Sequence, residues 1–344
     1  MRTKRMFRYA LVGVFLLVGG VVSPGVASAA PSPPHYPVVW SFLTTAAISA
    51  LENGPNVAPP GSNVPCSPSA AHPYPVVLVH GLAANQNDNW QTMAPFLADN
   101  GYCVFSFTYG NLASTPRPFD QIGGLTDMVA SAHQLAALVD WVLDATRAPK
   151  VDIVGHSEGG TMPDYYLKFL GGSQVVSHFV MLSGVIHGTT FLGLSDLYDL
   201  ASAYGFSSQA DAFVGSFCAS CTEFLVGSAF MKTLDAPNAQ PSAGEAATCP
   251  YDGAAVDGVS YTSIATENDE LVRPYTSDFI DPRCANAGGG IGVDNILVQQ
   301  QCALDQADHL SIASDQVAAQ DVLNALDPAH AAKVPCVLTL PAIG

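Results

Sequence analysis

Charge is scarce in this chain, and positive charge scarcest of all. Only 12% of the 344 residues are Asp, Glu, Lys or Arg, and 12 Lys+Arg face 29 Asp+Glu. So low a charged share excludes a disordered, charge-driven chain. The lack of cations argues against a nucleic-acid binder, because neutralising phosphates needs clustered Lys and Arg. It argues equally against docking by basic charge on anionic lipid. No long membrane run is present: the apolar stretch 10–22 has about 13 residues, short of the ~20 that span a bilayer. The 30 Gly and 25 Pro follow no period, which excludes collagen and simple repeats. What remains is an apolar, acidic chain with room for one large domain or two ordinary ones.

The first 29 residues form a separate object. Arg2, Lys4, Arg5 and Arg8 precede the apolar stretch, and Ala27-Ser28-Ala29 follows it. A basic start, an apolar centre and an A-x-A end are the parts of a secretory signal peptide, with cleavage expected after Ala29. No twin arginine is present, which favours the general secretory route. Without this segment eight Lys+Arg face the same 29 acids. All eight cysteines lie beyond it: Cys66, Cys103, Cys218, Cys221, Cys249, Cys284, Cys302 and Cys336. An even count in an exported chain implies disulfides. Cys218-x-x-Cys221 has no second C-x-x-C and no histidine at ligand spacing, so it reads as a structural disulfide rather than half a metal site.

Residues 30–74 are rich in Pro, Asn, Gly and Ser and read as an N-terminal extension wrapped on a domain surface, with a short helix at 38–51. From residue 75 strands and helices alternate. Strand-like runs fall at 75–80, 102–109, 150–156, 178–185, 259–266 and 295–300. Helical spacing falls at 90–100, 127–147, 158–170 and 311–326. Alternation of this kind predicts an α/β fold, a mostly parallel sheet covered on both faces. Residues 188–250 break the rhythm. Phe191, Leu192, Leu194, Leu197, Tyr198, Tyr204, Phe206, Phe213 and Phe217 lie there, and the stretch reads as a cap-like insertion in one domain of 75–340.

The chemistry centres on Gly155-His156-Ser157-Glu158-Gly159. This G-x-S-x-G directly follows an apolar strand and directly precedes a helix, the context the motif requires. The glycines permit a tight turn that projects Ser157 from the C-terminal edge of the sheet. A helix N-terminus there favours developing negative charge.

A nucleophilic serine needs a base, and the base an orienting acid. In chain order Ser, acid, His, four histidines follow Ser157. His178 lies inside a strand, His330 falls after the last helix, and His187 opens a loop as a minor candidate. His309 lies between the last strand and the last helix, at the sheet edge where Ser157 emerges, and is the expected base. The acid is expected after the strand ending at 266, where Glu267, Asp269 and Glu270 compete. Asp269 has the shorter side chain and precedes Leu271-Val272, which would pin the loop. Two backbone N–H donors are expected for an oxyanion, those of Leu82 and Glu158. His80 reads as a residue that organises the Leu82 loop.

The segments VVLVHGL (76–82), NGYCVFSFTYG (100–110), IGGL (122–125), KVDIVGHSEGGTMPDYYLKFLGG (150–172), HGTT (187–190), ENDELVRPY (267–275) and ADHLSIASD (307–315) resemble, in this order, the α/β-hydrolase superfamily. More narrowly they resemble the class 2 secreted triacylglycerol lipases and esterases of actinobacteria. The resemblance implies an α/β-hydrolase fold, a triad of Ser157, Asp269 and His309, and Leu82 and Glu158 as oxyanion donors. It implies Cys66 paired with Cys103 and Cys284 with Cys302. Glu158 departs from the family, which more often has Gln or Met; an acid there could dampen the approach of anionic substrates.

The expected function is ester hydrolysis outside the cell, with no cofactor and no metal. No D-x-D-x-D-G loop supports a structural calcium. The expected partners are an ester or lipid substrate and, transiently, a lipid interface, with the chain acting as a monomer. An acyltransferase using an alcohol acceptor shares the same triad. A catalytically silent binding protein would leave three ordered triad residues unexplained.

Overall fold

The structure is a computed structural model that describes residues 35–44, 54–112, 119–190, 218–238 and 241–342. Six parallel strands form the sheet: β1 (Val76–Val79), β2 (Val104–Ser106), β3 (Val151–His156), β4 (Val176–Leu182), β5 (Ser260–Ala265) and β6 (Gly292–Leu297), in the spatial order β2-β1-β3-β4-β5-β6. The expected signal segment, the insertion residues 191–217 with all nine of their large apolar side chains, and residues 45–51 of the expected 38–51 helix lie outside the described residues.

Side chains alternate between the faces of each strand. Val77 and Val79 of β1, Ile153 of β3, and Phe179 and Met181 of β4 enter one apolar cluster. There they meet α2 (Met128–Thr146) and α3 (Met162–Phe169), through residues such as Leu135, Val139 and Leu167. Val76, Leu78, Val154, Val180 and Leu182 point to the other face. That face is covered by α1 (Met93–Asp99) and α6 (Gln316–Leu326), through Met93, Leu97, Ala318 and Val322. Two shorter helices, α4 (Ala219–Glu223) and α5 (Ala229–Asp235), belong to the first face. Among the described residues no helix is long and apolar enough to cross a membrane.

Several element boundaries differ from the sequence reading; the strand expected at 102–109 is only Val104–Ser106, and three further differences have visible causes. The 158–170 segment begins as a tight 3-10 turn, Ser157–Gly160, before α3 starts at Met162. The 311–326 segment likewise starts as a 3-10 turn, and α6 is then capped by Asp315, whose carboxylate accepts the Ala318 N–H at 2.8 Å. The last strand is shifted toward the N-terminus, because Val298–Gln301 turns helical.

The extension covers the outer edge of the sheet. Ser62 bridges Val104, and the Asn63 N–H donates to the Val104 carbonyl at 2.9 Å. An edge strand paired this way no longer offers free backbone groups to other chains.

All eight cysteines are bridged, Cys66 to Cys103, Cys218 to Cys221, Cys249 to Cys284 and Cys302 to Cys336. The expected Cys284–Cys302 pair is therefore wrong. Cys284 lies before β6 and Cys302 after it. Each is bonded elsewhere, Cys284 to Cys249 and Cys302 to Cys336. They also belong to opposite faces, Cys284 to the α2–α3 side and Cys302 to the α1–α6 side.

Candidate active site

Ser157 occupies the tight turn between β3 and α3. Its φ is +55°, a left-handed conformation that L-residues avoid and that structures retain at functional turns. The flanking glycines are required by space. A Cβ on Gly155 would overlap the carbonyl oxygen of Gly159, and one on Gly159 would overlap that of Val79. Each would drive strand and helix apart.

β3, β5 and β6 are parallel, so the loops that follow them gather at one sheet edge. Ser157 follows β3, Asp269 follows β5 and His309 follows β6. The last two loops are tied together. The Thr266 hydroxyl donates to the Ala307 carbonyl at 2.6 Å, and Gln299 donates to the Thr266 hydroxyl at 2.8 Å. His309 Nε2 then lies 2.9 Å from Ser157 Oγ, and His309 Nδ1 lies 2.8 Å from Asp269 Oδ2. The His309 and Asp269 side chains are almost wholly buried.

The Asp269 carboxylate is held by the backbone of Leu271 and Val272. Both N–H groups donate to Asp269 Oδ1, at 2.9 and 2.7 Å. Burial works to raise the Asp269 pKa, but His309 and these donors outweigh it and hold the carboxyl below its ordinary value. The two competing acids lie elsewhere. Glu267 is exposed, and Glu270 accepts the backbone N–H of His309 at 3.3 Å.

The other histidines that follow Ser157 in the chain, and His80, are engaged elsewhere. His178 contacts Asp152 at 2.8 Å, and the exposed His330 contacts Asp327. His187 lies between Asp235, at 2.9 Å, and Asp252, at 3.1 Å. Its partial burial opposes protonation, but the two carboxylates prevail and raise its pKa to about 10. His80 is fully buried and neutral, its pKa lowered to about 4 by burial. Its Nδ1 donates to the Gly81 carbonyl at 2.8 Å and its Nε2 accepts the Tyr109 N–H at 3.2 Å, so it braces the Leu82 loop.

Three supports were not foreseen from the sequence. His156 is neutral, its pKa lowered to about 3 chiefly by burial, and its Nε2 lies 2.8 Å from the His309 carbonyl oxygen. Asn89 Oδ1 lies 3.0 Å from His156 Nδ1 and accepts the Gly81 N–H at 3.0 Å. Behind Leu82, Gly123 exchanges backbone bonds with Ala83 and Ala84, at 3.0 and 2.9 Å. Asn89 sits one position before Trp90 in the chain, where no motif marks it.

The expected effect of Glu158 on anionic substrates needs correcting. Its side chain is fully buried and packs away from solvent against Gly124, so it meets no approaching substrate. Burial, with the nearby Glu223, raises its pKa well above the ordinary value. The site thus favours the protonated, uncharged form of this carboxyl.

A cavity of about 340 Å³ opens over Ser157 and His309. Leu82, Val185, Phe224, Leu271, Val272, Leu310 and Phe42 give it a mainly apolar wall. The arrangement can pass a hydroxyl proton to an imidazole beside an apolar ligand. Among the described residues no group of three or more His, Cys, Asp or Glu side chains is arranged to hold a metal ion.

A class 2 lipase family model matches residues 73–251, just over half of the chain. The chain belongs to the class 2 lipase family. A triacylglycerol lipase of Burkholderia plantarii is 32% identical over 133 residues, 37% of this chain and 34% of that protein. One of Pseudarthrobacter phenanthrenivorans is 37% identical over 101 residues, 28% of each. The chain thus spans about a third of the length of these relatives. Lipase B of Aspergillus fumigatus has the same fold, with a TM-score of 0.55 at 17% identity, over 81% of this chain and 56% of that one.

Proposed function

We propose that this chain hydrolyses carboxylic esters, acylglycerols among them, through an acyl-enzyme on Ser157. The observation that carries the reading is the line of contacts Ser157–His309–Asp269 beneath an apolar cavity. His309 Nε2 takes the Ser157 proton as the oxygen attacks the ester carbonyl carbon. Asp269 stabilises the imidazolium and fixes its orientation. The N–H groups of Leu82 and Glu158 hold the tetrahedral oxyanion. Collapse breaks the ester C–O bond, and His309 returns the proton to the leaving alcohol. Water then enters, gives its proton to His309 and releases the acid, restoring Ser157.

The family assignment and the triacylglycerol lipase relatives support an ester or lipid substrate. Four disulfides suit an oxidising compartment, in keeping with residues 1–29 as a signal peptide and residues 30–340 as an exported, monomeric enzyme. The test pairs a fluorophosphonate probe with p-nitrophenyl esters. The purified chain labels at Ser157 and releases p-nitrophenol, and Ser157→Ala does neither. A folded wild type that neither labels nor cleaves would remove this reading.

A further inference from the structure

The extension reaches the cavity. Residues 35–42 run along α1 and are fixed to it at three places. The Tyr36 N–H donates to Asp99 Oδ1 at 2.8 Å, and the Thr92 hydroxyl donates to the Val39 carbonyl at 2.6 Å. Between these, the Trp40 ring meets Phe96 edge-on, with centroids 5.3 Å apart. Two residues on, the Phe42 ring stands edge-on over His156, 6.4 Å between centroids. Phe42 lines the same cavity as Leu82, Ser157 and His309. A tethered aromatic ring is a low-entropy apolar wall, and the other described lining residues belong to the sheet domain.

We propose that Phe42, carried on the tethered N-terminal arm, is a specificity residue that favours longer acyl chains in the ester-binding cavity. The inference rests on the ester-hydrolase reading above. Acyl CH₂ groups beyond the first few have apolar surface to bury, and Phe42 supplies part of the surface that buries them. An acetyl group has no such surface. Removing the ring therefore penalises octanoate more than acetate. If the ring covers two methylenes, at about 0.8 kcal/mol each, the ratio changes about tenfold.

The experiment measures kcat/KM for p-nitrophenyl esters from acetate to palmitate, together with fluorophosphonate labelling. In Phe42→Ala the octanoate-to-acetate ratio falls about tenfold below wild type. Thr92→Val keeps the ring but cuts a tether. Because the Thr92 side chain makes no helix-capping bond, this change spares α1, and the ratio falls in the same direction by a smaller factor. Unchanged ratios in both folded variants overturn the role of Phe42 while labelling of the wild type leaves the ester-hydrolase reading standing. Loss of labelling in the wild type removes both.

Discussion

The Glu158 carboxyl rests on Gly124. A Cβ at Gly124 would lie 2.7 Å from Glu158 Oε2 and 3.1 Å from the Leu82 Cα. The two residues proposed to supply the oxyanion N–H groups thus pack on one glycine, whose φ is +69°. Gly124→Ala is expected to strain the backbone and push against both. Stability is expected to fall by about 1–3 kcal/mol, and kcat by ~10²-fold if one donor is displaced. Thermal melts and single-turnover acylation measure the two effects. A folded variant with wild-type kcat would show that this contact does not position the donors.

Ionisation of Glu158 would place a negative charge one residue from the forming oxyanion. Burial and the charge of Glu223 oppose that ionisation. Glu223 itself, through burial first and Asp127 second, has its pKa raised to about 8. The Tyr109 hydroxyl, which also faces Glu158, is raised well above its ordinary value. Activity is therefore expected to decline on the alkaline side as these acids lose their protons. Glu158→Gln cannot ionise and is expected to flatten that decline, with kcat near wild type at pH 6. The pH dependence of kcat between 6 and 10 decides it, and an identical alkaline limb in the variant would clear Glu158 of the effect.

The same buried acids give stability a direction in pH. Burial raises Asp88 and Asp321 to about 7 and raises Asp164 and Asp278 well above their ordinary values. Above the unfolded pKa of about 4, the native state binds more protons at these sites than the unfolded state. Their contribution therefore falls as pH rises from about 4 through the folded values. Asp269 and Asp252 are lowered, and their contribution is lost only as pH falls below about 4. His187, with a folded value of about 10, contributes fully below about 6.5 and loses that contribution as pH rises through 10. These effects together place the highest Tm near pH 5 rather than pH 8. Scanning calorimetry from pH 4 to 9 tests it, and a Tm that climbs steadily toward pH 8 would contradict it.

The centre of the sheet was legible in the sequence because its strands are buried on both faces and read as unbroken apolar runs, as in Val76–Val79. The turn at Ser157 was legible because only glycine fits at 155 and 159. Legibility fell where long-range geometry decides. Cys249 and Cys284 share one sheet face and Cys302 lies on the other, and no spacing in the chain encodes a face. β6 is an edge strand with mixed polarity, and Asn295 bonds sideways to the Ile280 backbone at 2.7 Å, so its pattern blurred into the following helical turn. Phe42 sits in an arm without periodicity and acquires a role only when α1 lays it beside His156.

The Cys302–Cys336 bridge ties the chain end back beside α6. It closes a separation of 34 residues. Changing both cysteines to serine is expected to cost about 2–5 kcal/mol, with little change in kcat for acetate because neither cysteine lines the cavity. Urea unfolding measures the loss. Peptide mapping without reductant is expected to yield a linked 302–336 fragment and a linked 249–284 fragment. A 284–302 fragment would return the pairing to the one the resemblance implied.

Asp269 can be separated from its two acidic neighbours by what each touches. Its carboxylate accepts from His309 Nδ1 at 2.8 Å and from two backbone N–H groups. In Asp269→Asn an amide N–H can face Nδ1 and force that nitrogen to accept. The proton then sits on Nε2, 2.9 Å from Ser157 Oγ, where it blocks proton transfer from serine. The expected fall in kcat is ~10³–10⁴-fold, the scale of the same substitution in a known triad. Glu270→Gln keeps an oxygen that can accept the His309 backbone N–H, and Glu267 is exposed, so both amides are expected to change kcat little. Steady-state kinetics on p-nitrophenyl butyrate, with circular dichroism to confirm folding, rank the three. If Glu267→Gln or Glu270→Gln were the crippled variant and Asp269→Asn were near wild type, the orienting role would pass to that glutamate despite the geometry at Nδ1.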